Sequence, residues 1–229
     1  MERCPLCDNQ TGNVIRLDLR GPSNHNASIS IAPLIGKLSH ALQELKQLKF
    51  LDLSYNQISG GIPDFLGSLM PPNLGSLSSL NSLDLSHNSF LSVNNLEWVS
   101  RLHQLRYLAI SYVNTSKATD WLESVLKLPS LQVLSLASSM LPAVFPSLFN
   151  SSNLTHLDLS GNALHGPIPD ALWNMKSLQH LNLSRNALGG GFPRCLGNSS
   201  NLKFLRLASN NLDGKLPEIM KNLSCMSVL

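Results

Sequence analysis

Leu154-Thr155-His156-Leu157-Asp158-Leu159-Ser160-Gly161-Asn162-Ala163-Leu164-His165-Gly166-Pro167-Ile168-Pro169 contains the pattern from which the fold of this chain can be predicted. It reads L-x-x-L-x-L-x-x-N-x-L-x-G-x-I-P, and most of the remaining sequence repeats it with variations. The leucines equivalent to Leu157 are Leu17, Leu51, Leu83, Leu108, Leu134, Leu181, Leu205 and Leu229. Successive members of this series are 34, 32, 25, 26, 23, 24, 24 and 24 residues apart, so the sequence has an internal period close to 24 residues.

Such a period with this leucine spacing indicates a leucine-rich-repeat solenoid. Alternation along each repeat directs Leu157 and Leu159 inward and His156 and Asp158 outward, as in a short strand. One coil cannot bury its leucines alone, so the coils must stack. We therefore expect an α/β solenoid, a right-handed arc with a concave parallel β-sheet and short 3-10, helical or irregular segments on its convex side. The predicted strands are centred on residues 51–53, 83–85, 108–110, 134–136, 157–159, 181–183 and 205–207.

An asparagine stands where the chain leaves five of the seven predicted strands. Asn162 is equivalent to Asn56, Asn88, Asn186 and Asn210, whereas two repeats have Val113 and Ser139 instead. An asparagine amide can satisfy backbone groups that the bend exposes, each of which would cost about 1–3 kcal/mol if it were left unpaired.

The motif at the end of the repeat indicates which type of leucine-rich repeat this is. L-x-G-x-I-P recurs at residues 58–63, 188–193 and 212–217, where glycine permits a turn and proline ends strand pairing. This motif resembles the plant-specific repeat of cell-surface receptors, and Cys7-Asp8-Asn9-Gln10-Thr11-Gly12-Asn13-Val14-Ile15-Arg16-Leu17 resembles the cap junction of plant receptor-like proteins. Asn94-Asn95-Leu96-Glu97-Trp98-Val99 and Ala118-Thr119-Asp120-Trp121-Leu122 are similar to segments of the receptors for ethylene-inducing fungal xylanase.

This resemblance implies a domain plan. Residues 1–12, with Cys4 and Cys7, would be the remnant of an N-terminal cysteine cap, and residues 13–229 would form about eight repeats. The resemblance also implies a truncated or fragmentary ectodomain, because the sequence shows no signal peptide and no transmembrane segment. We expect the array to lack a C-terminal cap, with Leu229 in phase with Leu205 and an unpaired edge on the repeat of Leu205.

Two irregularities interrupt the array. P-x-x-L-G-S-L at residues 63–69 is followed by the similar P-x-L-G-S-L at residues 72–77. We therefore expect residues 64–76 to form an irregular connection without a strand, so that Asp52 and Asp84 become neighbours and repel each other mildly. Capping-box patterns at Asn94 with Glu97, and at Asp120 with Glu123, predict two short convex helices.

Composition excludes some functions and favours others. The net charge is +3, from 17 basic and 14 acidic residues without a basic cluster, so nucleic-acid binding and membrane-surface contact have no electrostatic support. Eight N-x-S/T sequons favour a secretory history, and the alternative is that an Asn- and Ser-rich repeat creates sequons by itself. They begin at Asn9, Asn26, Asn114, Asn150, Asn153, Asn182, Asn198 and Asn222.

The outward strand positions are the candidate site. The column before the central leucines reads Phe50, Ser82, Tyr107, Val133, His156, His180 and Phe204, and the column after them reads Asp52, Asp84, Ala109, Ser135, Asp158, Asn182 and Arg206. The candidate ligand surface comprises Phe50, Asp52, Tyr107, Tyr112, Val133, His156, Asp158, His180, Phe204 and Arg206. Exposed aromatic and histidine side chains can bind an extended peptide or a protein surface, but the aspartates are also simply the L-D-L-S consensus.

No catalytic, cofactor or metal site is predicted. His156, Asp158 and Ser160 follow one another on one strand at about 6.5–7 Å, which is not the geometry of a catalytic triad. We expect a non-enzymatic recognition module for a protein or peptide ligand. The resemblance implies defence signalling with a co-receptor kinase at the extracellular side of the plasma membrane. A secreted inhibitor of the polygalacturonase-inhibiting type and a non-functional truncated product remain alternatives.

Overall fold

A computed structural model of the chain describes residues 6–8, 10–22, 32–62, 77–142, 153–191, 201–213 and 227–228. Within these ranges the chain winds into successive coils, each of which contributes one strand to a large parallel sheet. The predicted irregular connection at residues 64–76 lies outside the described residues. The predicted leucine-rich-repeat arc is confirmed.

Nine strands of the described chain form this main sheet in sequence order. They are β1 (Arg16–Asp18), β3 (Phe50–Asp52), β5 (Ser82–Asp84), β7 (Tyr107–Ala109), β8 (Val133–Ser135), β9 (His156–Asp158), β11 (His180–Asn182), β13 (Phe204–Arg206) and β15 (Ser227–Val228). The predicted strands are present, each beginning one residue earlier than expected. Their central leucines pair in register from Leu17 with Leu51 to Leu181 with Leu205. The chain therefore brings equivalent positions of neighbouring repeats side by side.

The pairing of β3 with β5 confirms that no strand lies between them. The expected unpaired edge on β13 is wrong, because β15 pairs with it and places Val228, rather than Leu229, opposite Leu205. The sequence period is therefore one residue shorter in this last step than the leucine spacing indicated.

Two smaller parallel sheets, which the sequence did not predict, flank the main one. They consist of β2 (Ile35–Gly36), β4 (Gln57–Gly61) and β6 (Phe90–Ser92), and of β10 (His165–Gly166), β12 (Ala187–Gly191) and β14 (Asn211–Asp213). The glycines of the L-x-G motif lie here with left-handed φ values of 87° at Gly60, 87° at Gly166 and 82° at Gly190. Glycine adopts this conformation without the penalty that a Cβ would add.

The asparagines at the bends join neighbouring coils, as expected. The Asn162 amide donates to the carbonyls of Leu136 and Leu159, at 2.9 Å each, and its oxygen accepts the backbone N–H of Leu141 at 3.0 Å. Where serine replaces asparagine, the Ser139 hydroxyl donates to the Ile110 carbonyl at 2.7 Å. This serine therefore replaces one of the hydrogen bonds to the preceding coil.

Short helices cover the side of the coils opposite the main sheet. They are 3-10 helices at His40–Glu44 and Glu97–Arg101, α1 (Trp121–Leu126) and α2 (Asp170–Trp173). The two expected helices are present, but neither capping box forms. Instead, the Asp120 carboxylate accepts the backbone N–H of Leu96, one repeat earlier, at 2.9 and 3.1 Å. This carboxylate joins two coils, a role that a pattern within one helix could not reveal.

The core is a continuous column of leucines between the sheet and the convex side, extended by Trp98, Trp121 and Trp173. Each buried leucine contributes about 1.5–3 kcal/mol to stability. This core fixes the strands, so the outward side chains of the main sheet are held at defined spacing.

Candidate recognition surface on the concave sheet

The two predicted columns of outward side chains are aligned across the main sheet. The first column pairs Phe50 with Ser82, Ser82 with Tyr107, Tyr107 with Val133, Val133 with His156, His156 with His180, and His180 with Phe204. The second pairs Asp158 with Asn182 and Asn182 with Arg206. Adjacent members lie on strands about 4.8 Å apart, so side chains from separate repeats form one surface.

Three rings of the first column stack on one another. His156 and His180 have ring centroids 4.2 Å apart and planes inclined by 9°, and His180 and Phe204 lie 5.7 Å apart at 29°. The Arg206 guanidinium lies 4.7 Å from the Phe204 ring centroid, within the range of a cation–π contact. We call His156, His180 and Phe204 the ring ladder.

A shallow depression of about 270 Å³ lies over the ring ladder. Its remaining outward lining comes from Val133, Ser135, Asp158, Asn182 and Arg206. The depression thus combines aromatic surface and a guanidinium, which are enriched in protein recognition sites, with a carboxylate and an amide. Eight of its lining residues belong to the two columns that the sequence period predicts.

The ring ladder favours neutral imidazole at His156. Burial lowers the pKa of His156, and the neighbouring His180 and Lys203 lower it further because they disfavour a second positive charge. A ring nitrogen of His156 also forms a 2.9 Å hydrogen bond with the Thr155 hydroxyl. At neutral pH this imidazole therefore presents aromatic rather than charged surface.

The aspartates of the second column also shape the backbone. One oxygen of Asp158 accepts the backbone N–H and the hydroxyl of Ser160, at 2.9 and 2.6 Å, and the other accepts the Asn182 amide at 3.0 Å. Asp52 accepts the same two groups from Ser54. The aspartates of the consensus L-D-L-S therefore hold the backbone where it leaves the strand. Few of their hydrogen-bond acceptor positions remain for a ligand.

His156, Asp158 and Ser160 do not form a nucleophile–base chain. The Ser160 hydroxyl donates to Asp158, while His156 bonds to Thr155. A triad would require the serine hydroxyl to reach the imidazole and the imidazole to reach the carboxylate.

Asp52 and Asp84 are neighbours as predicted, but each has a compensating partner. Arg20 donates two hydrogen bonds, of 2.7 and 3.1 Å, to Asp52, whose side chain is 2% exposed. Burial raises the pKa of Asp52, but hydrogen bonds from Ser54 and Arg20 outweigh burial and hold this pKa below its usual value. The expected repulsion is thus offset by an arginine in the loop after β1.

Tyr107 is the partner of Asp84. Its hydroxyl donates to the Asp84 carboxylate at 3.3 Å. Burial and the negative charge of Asp84 raise the pKa of Tyr107 to about 12. Nearby, the Arg16 guanidinium lies 3.6 Å from the Phe50 ring centroid. At this end of the sheet, Phe50, Asp52 and Asp84 thus each contact another side chain of the protein itself.

A second aromatic stack lies just beyond the carboxyl ends of the strands. Tyr112 stacks on His87, which stacks on Tyr55. Only Tyr112 is among the candidate residues, although all three lie outside both strand columns. Their common position, four residues after each central leucine, was the signal that could have identified them.

Three candidate glycosylation sites fall in the described ranges. Asn182 lies on β11 as expected, and its amide nitrogen donates to Asp158. The Asn153 amide donates to the Pro129 carbonyl at 2.6 Å. Asn114 is exposed, and its side-chain oxygen accepts from Ser116. The remaining sequons, at Asn9, Asn26, Asn150, Asn198 and Asn222, lie outside the described residues.

The described helices are all too short to cross a lipid bilayer, and none has the sustained apolar sequence that crossing requires.

Comparisons with known proteins agree with the fold. Models of the leucine-rich repeat match residues 129–188 and, separately, residues 47–69 and 201–223. Receptor-like protein EIX1 of Solanum lycopersicum is 35% identical over 174 residues, which cover 67% of this chain and 17% of that protein. Receptor-like protein Cf-9 of Solanum pimpinellifolium is 37% identical over 169 residues, which cover 72% of this chain and 17% of that protein. The chain thus spans 17% of the length of these relatives.

A solved structure shows the same architecture. The Arabidopsis receptor kinase HAESA, in complex with the peptide hormone IDA and the co-receptor SERK1, superimposes with a TM-score of 0.68 at 30% identity. The match covers 87% of this chain and 32% of that one. The chain therefore belongs to the leucine-rich-repeat proteins and is related to the plant receptor-like proteins.

Proposed function

We propose that this chain is part of the ligand-recognition region of a plant receptor-like protein and that it binds a peptide or protein segment without catalysis. The ring ladder with its depression carries this proposal. Packed leucines position its side chains, while the outward parts of the rings remain available for contact. Preorganised aromatic side chains bind with little additional loss of conformational entropy.

The shape of the sheet favours an extended ligand. A peptide that crosses the strands from β3 to β13 spans six gaps of about 4.8 Å, or ~29 Å, which takes roughly nine extended residues. Such a ligand would contact side chains from several repeats. The structure of HAESA contains a peptide hormone and a co-receptor, which supports a peptide ligand and a co-receptor kinase as partners here, at the extracellular face of the plasma membrane.

The test uses the purified 229-residue chain and a phage-displayed library of random peptides about twelve residues long, which exceeds the length estimated from the strand spacing. Peptides enriched on the chain are measured against two single variants of the ladder region, His180→Ala and Arg206→Ala. Phe90→Ala is the matched control, because Phe90 is an exposed aromatic on β6, outside the main sheet.

We expect enriched peptides to bind at least tenfold less tightly to the ladder variants, since truncation of a hot-spot residue at the centre of an interface costs about 2 kcal/mol or more and tenfold corresponds to about 1.4 kcal/mol. The Phe90 variant should bind like the parent chain. Equal binding to all variants, or failure to enrich any peptide on the parent chain, would count against the proposal.

A further inference from the structure

The residue four positions after each central leucine from Leu51 to Leu205 adopts a left-handed backbone conformation. The φ values are 58° at Tyr55, 58° at His87, 59° at Tyr112, 51° at Ser138, 66° at Gly161, 56° at Arg185 and 57° at Ser209. The chain turns out of the strand here. Because this conformation recurs in neighbouring coils, these residues form a third column of side chains, beside the main sheet.

The first three members of this column form a continuous stack of rings. Tyr55 and His87 have ring centroids 4.1 Å apart and planes inclined by 13°, and His87 and Tyr112 lie 4.3 Å apart at 21°. Tyr112 nevertheless remains 50% exposed. Rings from neighbouring coils thus stack at the spacing of the coils, and the last ring, that of Tyr112, is still half exposed.

The two ends of the stack differ. At the Tyr55 end the equivalent residue is Gly21, which is packed so closely that an added Cβ would overlap the Tyr55 carbonyl. At the Tyr112 end the column continues with Ser138 and Gly161. An added Cβ on Gly161 would lie 2.5 Å from the Ser138 hydroxyl. These two positions carry only small side chains and contribute no ring, and we call them the floor.

Beyond this floor the column resumes with the exposed side chain of Arg185. Three coil spacings of about 4.8 Å separate the backbones of Tyr112 and Arg185, or roughly 14 Å. We call the space over Ser138 and Gly161 the slot; the aromatic ring of Tyr112 lies on one side of it and the cationic side chain of Arg185 on the other. A planar π-system fits these three features, because one face can stack on Tyr112 and the other can meet a guanidinium.

We propose that this slot binds an aromatic side chain of the ligand, which becomes the fourth ring of the Tyr55–His87–Tyr112 stack. The proposal rests on the proposed function, because it assigns a subsite for the same peptide or protein ligand. It predicts that the ligand carries a tryptophan, tyrosine or phenylalanine residue that reaches beyond the strand ends toward Ser138 and Gly161.

The test does not require the natural ligand. The full isotopically labelled chain is titrated with N-acetyltryptophanamide and followed by NMR, with N-acetylleucinamide and methyl glucoside as non-aromatic probes. Stacking on Tyr112 should produce ring-current shifts at the backbone amides of Ser138 and Gly161 with the tryptophan probe alone. Shifts with the glucoside would instead identify a carbohydrate site and overturn the proposal.

A matched pair of variants tests the location. Ser138→Tyr should fill the slot with a ring from the chain itself, because tyrosine already occupies this conformation at positions 55 and 112. Ser209→Tyr places the same side chain in the same column at an exposed position beyond the slot. Far-UV circular dichroism and the spectra of distant residues verify that both variants are folded.

Ser138→Tyr should weaken probe binding by about three- to tenfold, as expected for the loss of one aromatic stack, while Ser209→Tyr leaves it unchanged. Tyr112→Ala should weaken binding by a similar factor. Equal binding by the parent and Ser138→Tyr chains, or shifts centred on the ring ladder, would overturn the proposal. These readouts are independent of the peptide selection, so failure of the slot and failure of the proposed function can be told apart.

Discussion

Asn88 shows how much a single side chain contributes to the stacking of coils. It is fully buried, its oxygen accepts the Ile58 N–H at 3.0 Å, and its amide donates to the Leu53 and Leu85 carbonyls at 2.9 and 3.0 Å. Each unpaired buried group costs about 1–3 kcal/mol. We therefore expect Asn88→Ala to lower the free energy of unfolding by about 3 kcal/mol, measured by urea denaturation.

Asn210 provides the matched control for this prediction. Its amide donates to the Leu183 and Leu207 carbonyls, and its oxygen accepts the Leu188 N–H, but the residue is only partly buried. Water can replace the lost contacts, so Asn210→Ala should cost clearly less. Equal losses at the two positions would show that burial does not set the contribution of these asparagines.

His156 should make stability depend on pH. Its pKa in the folded chain is lowered by burial, His180 and Lys203, so the unfolded chain binds more protons near the unfolded pKa of about 6.5. The associated stability is present above this pKa and is lost as the pH falls toward the folded pKa. NMR titration should give an imidazole pKa below 6.5.

The His180→Leu variant separates the causes of this shift. It removes the neighbouring charge and retains an apolar contact, so the pKa of His156 should rise but remain below its usual value, because burial persists. His165→Leu, at an exposed position outside the ladder, should leave the His156 titration unchanged. A rise in both variants would contradict the ladder as the source of the shift.

At the scale of secondary structure, α1 and the preceding coil are joined by Asp120. Its carboxylate accepts the Leu96 N–H and the Ser124 hydroxyl. Asp120→Ala should lower the unfolding free energy by about 1–3 kcal/mol, because the Leu96 N–H is left without its acceptor. Urea denaturation measures the loss.

Glu123→Ala on the same helix is the control for Asp120. Glu123 forms a 2.9 Å ion pair with Lys127, but both side chains are exposed, at 75% and 52%. Exposed pairs contribute little, because water and salt screen them. Comparable destabilisation by the two alanine variants would show that the link between the coils is not what stabilises this region.

The elements also show which features could be predicted from sequence. The main strands could be predicted from the spacing of the leucines, because one inward leucine determines which face of the sheet its neighbours occupy. The segment around Ser59, Gly60 and Gly61 has low strand propensity and was read as a turn. It forms β4 because the coil of β6 stacks beside it and the Asn88 oxygen holds the Ile58 N–H. Such pairing depends on contacts between repeats that no local pattern encodes.

Part of the candidate site could likewise be predicted from the sequence, and part could not. Periodicity placed His156, His180 and Phe204 in one column, but it could not give their ring geometry. The Tyr55–His87–Tyr112 stack was missed in part because a left-handed bend is usually recognised by glycine. Here only Gly161 marks the conformation that Tyr55 and His87 share. The loop residue Arg20 was missed because its contact with Asp52 spans 32 residues.

At the scale of the whole molecule, stability should depend on a coil's place in the array. The described sheet runs from β1 to β15, and each strand pairs only with its immediate neighbours. Leu134 is fully buried on the central strand β8, whereas Leu17 on the terminal strand β1 is only partly buried. A central coil supports the coils on both sides, but β1 supports a coil on one side alone.

Leu134→Ala should therefore lower the free energy of unfolding by about 2–5 kcal/mol and reduce amide protection throughout the array. Leu17→Ala should cost less, because its side chain loses less buried area, and should reduce protection mainly in β1 and β3. Urea denaturation gives the two free energies, and native-state hydrogen exchange shows where protection is lost. If Leu17→Ala lowered protection as far as β11, the chain would unfold as a single cooperative unit, and the dependence on nearest neighbours would be wrong.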